Sequence, residues 1–329
     1  MDNNNNNKKK RILWIAAGLI ALLLISIFVG RYPKPYWMPP ATLLTDTLAQ
    51  KLVVNLRLPR IIAALLLGAS LASCGTTLQM IFRNPLVEPG FLGVSQGAAF
   101  GAAFSILYLS RSVLVIEISA TIFALTGLIL SYTLSRRIRY GGWILRLVLA
   151  GIAVSALFSA GVGILKYLAD PLTELPDITY WMLGGLWAVT WKDLLYVLPL
   201  VLPGLAIAFL MRWRMNLLSL EDETSFSLGL APNRERTLLL VAAVTATAAV
   251  TSISGIVGWV GLIIPHIARR LFGTSAQFSL PGAMLLGGIF TLISDDIARS
   301  LIAGEIPLGI LTSLIGAFLF LYLMTREGA

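Results

Sequence analysis

The sequence has almost none of the residues from which catalytic and metal centres are built. Among 329 residues there is one cysteine, Cys74, and one histidine, His266. An internal disulfide is therefore excluded, and a zinc site of the usual Cys/His kind cannot be assembled within one chain. The dipeptide Gly-Lys never occurs, which removes the phosphate-cradling G-x-x-x-x-G-K-[ST] loop of nucleotide hydrolases. Charge is equally scarce: Asp, Glu, Lys and Arg make up 12% of the chain, against roughly 25% in a soluble domain. Carboxylates are nearly missing from the apolar runs, where a carrier driven by an ion gradient keeps them near the membrane midplane. These shortages argue against a soluble domain, an enzyme, a resident metal or cofactor and an ion-coupled carrier.

What the sequence does contain is apolar, 57% of it hydrophobic with a mean hydropathy of +0.84. The apolar residues come in segments of about 20, each enough to cross a hydrocarbon core of about 30 Å. The pattern predicts an all-α integral membrane protein with ten transmembrane helices, at 12–30, 57–82, 90–109, 113–135, 143–169, 194–211, 237–254, 257–271, 280–293 and 306–324. Residues 1–11, with the run Asn3 to Asn7 followed by Lys8, Lys9, Lys10 and Arg11, read as a disordered basic tail, and 12–329 as one membrane domain. No A-x-A cleavage pattern follows the first span, which is taken as uncleaved. Between 170 and 193, Trp181, Gly184, Gly185, Trp187 and Trp191 suggest an interfacial or re-entrant helix.

With the tail placed in the cytoplasm, fifteen of the 25 Lys and Arg residues, Arg326 among them, fall on the inner side and nine on the outer. This supports both termini inside and explains the net charge of +9 without nucleic acid. Small residues recur at helical spacing in Gly68, Ala72 and Gly75, in Gly93, Gly97 and Gly101, and in Gly151, Ser155, Ser159 and Gly163. Such stripes let backbones approach closely. The hydroxyls of the last set give it the better claim to line a polar path.

Three stretches combine helix-breaking residues with fixed charge at membrane boundaries. The first runs from Arg57-Leu-Pro-Arg60 through Gly68 and Gly75 to Arg83-Asn-Pro-Leu-Val-Glu-Pro-Gly-Phe-Leu-Gly93. The second is Gly261-Leu-Ile-Ile-Pro-His266-Ile-Ala-Arg269. The third is Ser294-Asp-Asp-Ile-Ala-Arg299 with Glu305-Ile-Pro-Leu-Gly309. In this order the motifs resemble the FecCD or BtuC-like permeases of binding-protein-dependent ABC importers for iron-siderophores, haem and cobalamin, over nearly the whole chain from Arg57 onward.

The resemblance implies a type II ABC importer permease fold with inverted repeats, in the cytoplasmic membrane of a prokaryote. It implies a second permease copy as a homodimer, two ATP-binding subunits and one extracytoplasmic substrate-binding protein, with no catalysis on this chain. The cargo it implies is a metal chelate, ferric siderophore first, haem second, cobalamin third, and an oxyanion such as molybdate as the alternative. Arg57, Arg60 and Arg299 are the implied docking residues for the binding protein, with snorkelling helix-end anchors as the other reading. Asn84 and Leu86, with Ile144 and Leu145, are the implied inner gate, although Asn84-Pro85 also suits a plain Asx turn. Gly151, Ser155, Ser159 and Gly163 are the expected path lining. The segment 219–232 is the implied coupling helix toward the ATPase, through Ser219, Glu221, Asp222, Glu223, Phe226, Leu228, Gly229 and Leu230. A solvated acidic loop is the alternative there. His266 belongs to the motif whatever the cargo, so a structural role is expected for it rather than metal ligation.

Overall fold

The computed structural model describes residues 2–325, so Arg326 lies outside the described residues. Helix α1 (Asp2–Phe28) leads through the antiparallel pair β1 (Val29–Gly30) and β2 (Tyr36–Trp37) and the short α2 (Pro40–Thr45) and α3 (Thr47–Leu52) into α4 (Leu58–Phe82). Next come α5 (Val94–Phe104), α6 (Val113–Arg137), α7 (Trp143–Leu168), α8 (Glu174–Leu183) and α9 (Trp191–Leu210). The chain continues through α10 (Arg212–Leu218), α11 (Asp222–Ser227), α12 (Pro232–Ser254), α13 (Val260–Phe272), α14 (Ala276–Ser300) and α15 (Leu308–Thr325). Among the described residues, seven helices are long and apolar enough to cross a membrane. Three shorter ones, α5 with its continuation to Leu109, α13 and α15, complete the ten expected positions.

Burial separates the centre of the bundle from its rim. In the most apolar windows of α4 and α12, 78% and 72% of residues are buried, against 33% in α6, α7 and α9 and 6% in α1. The two central helices therefore meet protein while the others turn apolar side chains outward to lipid. Glycine permits this density. A Cβ on Gly68 would overlap the Gly287 carbonyl, and one on Gly287 would overlap that of Gly68, so α4 and α14 cross backbone to backbone. Gly75 meets Gly261 in the same way where α4 crosses α13. The stripe of small residues on α4 is thus a packing seam.

The start of α1, the end of α13 and the end of α15 share one end of the bundle: Arg11 donates to the Leu271 carbonyl at 3.0 Å and Arg270 to that of Leu323 at 3.4 Å. This is called the terminal end below, and the opposite one the far end. Four expectations are corrected. The described part of the tail, residues 2–11, forms the first turns of α1 where a disordered arm is expected, with Lys8 over the Phe278 ring at 5.6 Å. The ninth span is 25 residues long instead of 280–293, because Asp295, Asp296 and Arg299 are paired and can continue the helix in the interior. The eighth is shorter than 257–271, because Gly255 (φ +65°) and Trp259 (φ +71°) hold the chain out of helix until Val260. Helix α10, rich in arginine, has no counterpart among the expected elements.

Candidate functional site

The long central helices α4 and α12 run in opposite directions, and each ends in a left-handed or glycine-bearing break. Arg83 (φ +51°) closes α4, and Gly93 (φ +76°) starts α5. Gly255 closes α12, and Trp259 starts α13. Both connections fold back to the middle of the bundle. Gly261 lies against Pro89 and against the Leu71 carbonyl, and Leu71 is halfway along α4. Around this meeting point is a cavity of about 370 Å³, lined by Glu88, Ser95, Gln96, Ser155 and Trp259 among others. The N-termini of α5 and α13 open on it, and the Glu88 carboxylate faces the Trp259 backbone N–H. Broken helices meeting at mid-depth are how transporters present polar backbone to a cargo.

Of the predicted path residues, Gly151 packs against the Phe91 carbonyl and Ser155 lines the cavity, donating to the Gly90 carbonyl at 3.4 Å. Ser159 and Gly163 lie on the exposed face of α7 beyond it. Glu88 and Gln96 were not singled out in the sequence, and the expectation of no carboxylate near the middle is corrected by Glu88. The chain after Pro85 folds inward, which a linear count of spans does not register. The signal available was the pairing of two glycine-rich breaks, each directly after a long span.

At the terminal end, Gln79 connects the parts of the site. Its Nε2 donates to the Val87 carbonyl at 3.3 Å and the Leu262 carbonyl at 3.2 Å, while Oε1 accepts from Arg269 at 2.6 Å. Asn84 Oδ1 accepts from the Leu86 N–H at 2.9 Å, an Asx turn, and both side chains are exposed. The rings of Phe82 and Trp143 stack at 6.1 Å, which brings this turn beside Ile144, packed against the core, and Leu145, exposed. Arg83 donates to the Leu220 carbonyl, so the 219–232 segment is tied to the break after α4.

Within that segment, Ser219 ends α10, and α11 is held by Asp222 on Arg236 at 2.7 Å and by Ser225, which donates to the Leu217 carbonyl at 2.7 Å. Glu221 and Glu223 are exposed, as are Phe226 (72%) and Leu228 (54%), just before the turn at Gly229 (φ +82°). Leu230 is 6% exposed and belongs to the core, so its expected place on the contact surface is corrected: once Gly229 reverses the chain, the next apolar side chain points inward. His266 is half-buried on α13, and no cluster of three metal-ligating residues exists among the described residues.

At the far end, Arg57, Arg60 and Arg299 do come together, lining a cavity of about 330 Å³ with Arg31 and Glu305. They are only 8%, 8% and 7% exposed. Arg60 pairs with Asp295 at 2.9 Å and with Glu305 at 3.0 Å. Arg299 binds Asp296 and donates to the Ser26 carbonyl at 2.8 Å. Arg57 donates to the carbonyls of Ile27 at 2.7 Å and Tyr32 at 3.1 Å. All three guanidinium groups are therefore engaged within the chain. Acids on and after α14 sit at the same depth, and charges in low dielectric take the partners within reach.

The chain is similar to known proteins over nearly its full length. An iron chelatin transport system permease protein of Helicobacter pylori is 42% identical over 84% of this chain and 82% of its own. A molybdate import system permease protein of Haemophilus influenzae is 38% identical over 94% of each. A solved structure, described as an inward-facing conformation of a metal-chelate type ABC transporter, superposes with a TM-score of 0.89 at 38% identity, over 97% of this chain and 99% of that one. A family model matches residues 18–326, and with this extent of agreement in sequence, breaks and packing the chain belongs to the FecCD transport family.

Proposed function

We propose that the chain is the permease subunit of a binding-protein-dependent ABC importer that carries a metal chelate inward, ferric siderophore before haem and haem before cobalamin. The observation that carries this reading is the mid-depth cavity between two opposed helix breaks, one of them tied through Arg83 to the segment bearing α11. A second copy, two ATPase subunits and one binding protein complete the assembly, with both termini cytoplasmic. Phe226 and Leu228 fit a groove on the ATPase, whose movement would pull on Leu220 and Arg83 and so on the loop that narrows the cavity.

Asn84, Leu86, Ile144 and Leu145 form the inner constriction in this reading, and Ser155 the polar side of the path. Binding-protein carboxylates engage Arg57, Arg60 and Arg299 by exchanging with Glu305 and its neighbours, since a bidentate fork accepts either. The molybdate relative supports an oxyanion as the second cargo. The Glu88 carboxylate in the cavity opposes it, because like charges in low dielectric repel.

The test is uptake into proteoliposomes holding this chain, its ATPase and its binding protein, across ferric siderophores, haem, cobalamin and molybdate. ATP-dependent accumulation of one chelate is expected. Accumulation of molybdate alone, or uptake driven by an ion gradient without ATP, would contradict the reading.

A further inference from the structure

At the far end, outside the residues that line the central cavity and pair in the arginine cluster, two acidic side chains are buried with no basic partner among the described residues. Glu117, in the second turn of α6, is 6% exposed, and its Oε2 has no hydrogen-bond partner. Asp193, 7% exposed at the start of α9, is its electrostatic neighbour and accepts from the Thr190 N–H at 2.7 Å. Glu117 stands between two cavities, of about 120 Å³ and 220 Å³, and Ser252 borders both. No Lys, Arg or His lines either one. A buried carboxylate is normally balanced by a cation or a proton.

The polar groups around the smaller cavity are acceptors, which a bound cation can use as readily as the proton of a neutral carboxyl. Ser252 donates its hydroxyl proton to the Ala249 carbonyl at 2.8 Å, and Ser254 donates its own to the Gly255 carbonyl at 3.1 Å. Both hydroxyls therefore offer lone pairs only. Trp181 and Trp187 also line this cavity. Acceptors without donors, at a single carboxylate with a second close by, suit a cation. About 120 Å³ is the space of roughly four waters, enough for a small ion with part of its hydration shell. The absence of soft ligands and of a three-residue cluster among the described residues fits an alkali ion and not a transition metal.

We propose that Glu117, with Ser252 and Ser254, forms a binding site for one monovalent alkali cation, which joins α6 and the end of α12 to the segment after α8. The site is independent of the cargo and of ATP. Its test is the thermal unfolding midpoint of the full chain in nanodiscs at pH 8, titrated with sodium, potassium or lithium chloride against choline chloride at constant ionic strength. The expected result is a saturable rise with at least one alkali ion, lost in Glu117→Gln and kept in the surface control Asp177→Asn. Ser252→Ala, which leaves the carboxylate in place, should raise the half-saturating concentration about tenfold. No alkali response in the wild type, a response unchanged in Glu117→Gln, or an unchanged half-saturating concentration in Ser252→Ala would each overturn the proposal.

Discussion

At the scale of single residues, the interior of this chain is governed by how few charges it holds and how completely they are engaged. Asp295 is fully buried and accepts from Arg60 Nε at 2.9 Å, with Arg299 3.7 Å away. Removing one partner from such a group leaves cations unpaired in low dielectric, which costs about 3–5 kcal/mol. Asp295→Ala should therefore lower the thermal midpoint sharply, and Asp295→Asn, which keeps the shape and one acceptor, should lower it less. Outside the membrane the effects are smaller and depend on pH. Asp170 accepts from the N–H groups of Leu172 and Thr173, each at 2.9 Å, and these bonds, Leu172 first, hold its carboxyl below the usual value of 3.8. A depressed pKa adds stability that is present above the unfolded value and lost as pH falls through the folded one. The turn between α7 and α8 should loosen only below about pH 4. Amide exchange at Thr173 should accelerate over that window in the wild type and show no such step in Asp170→Asn.

At the scale of elements, the seams between helices set what can be changed. Gly75→Val would drive a side chain into the Gly261 carbonyl and is expected to abolish the monodisperse protein, whereas Gly18→Ala on α1, where nothing lies within 4 Å, should behave as wild type in size-exclusion chromatography. On α11, Phe226 is exposed. Phe226→Ala should change stability by no more than about 0.5 kcal/mol while weakening co-purification of the ATPase subunit. The order of the apolar spans was legible because each run is long and bounded by Gly, Pro or Arg. The extent of α14 was not, since Asp295 and Asp296 mark a helix end by composition and become interior only through Arg60 and Arg299, distant in sequence or hidden by the pairing. The stripe on α7 was legible as spacing. That Gly151 packs, Ser155 lines the cavity and Ser159 faces outward depends on where the 84–93 connection folds, and no local pattern encodes that.

At the scale of the whole molecule, α4 and α12 run in opposite directions, and the breaks that follow them meet near the level of Leu71. The break at the terminal end is linked to α11 by one hydrogen bond from Arg83 to the Leu220 carbonyl and to α13 by Gln79. Movement of α11 can therefore reach the cavity through few intermediates. The measurement that tests this directly is the accessibility of Ser155→Cys to membrane-impermeant thiol reagents added to either side of proteoliposomes containing the assembled transporter, with and without ATP. Cys74 is fully buried and supplies little background. Labelling that shifts from one side to the other with nucleotide is the predicted result. Labelling that ignores nucleotide, or that is absent from both sides in every state, would contradict the assignment of this cavity to the transport path.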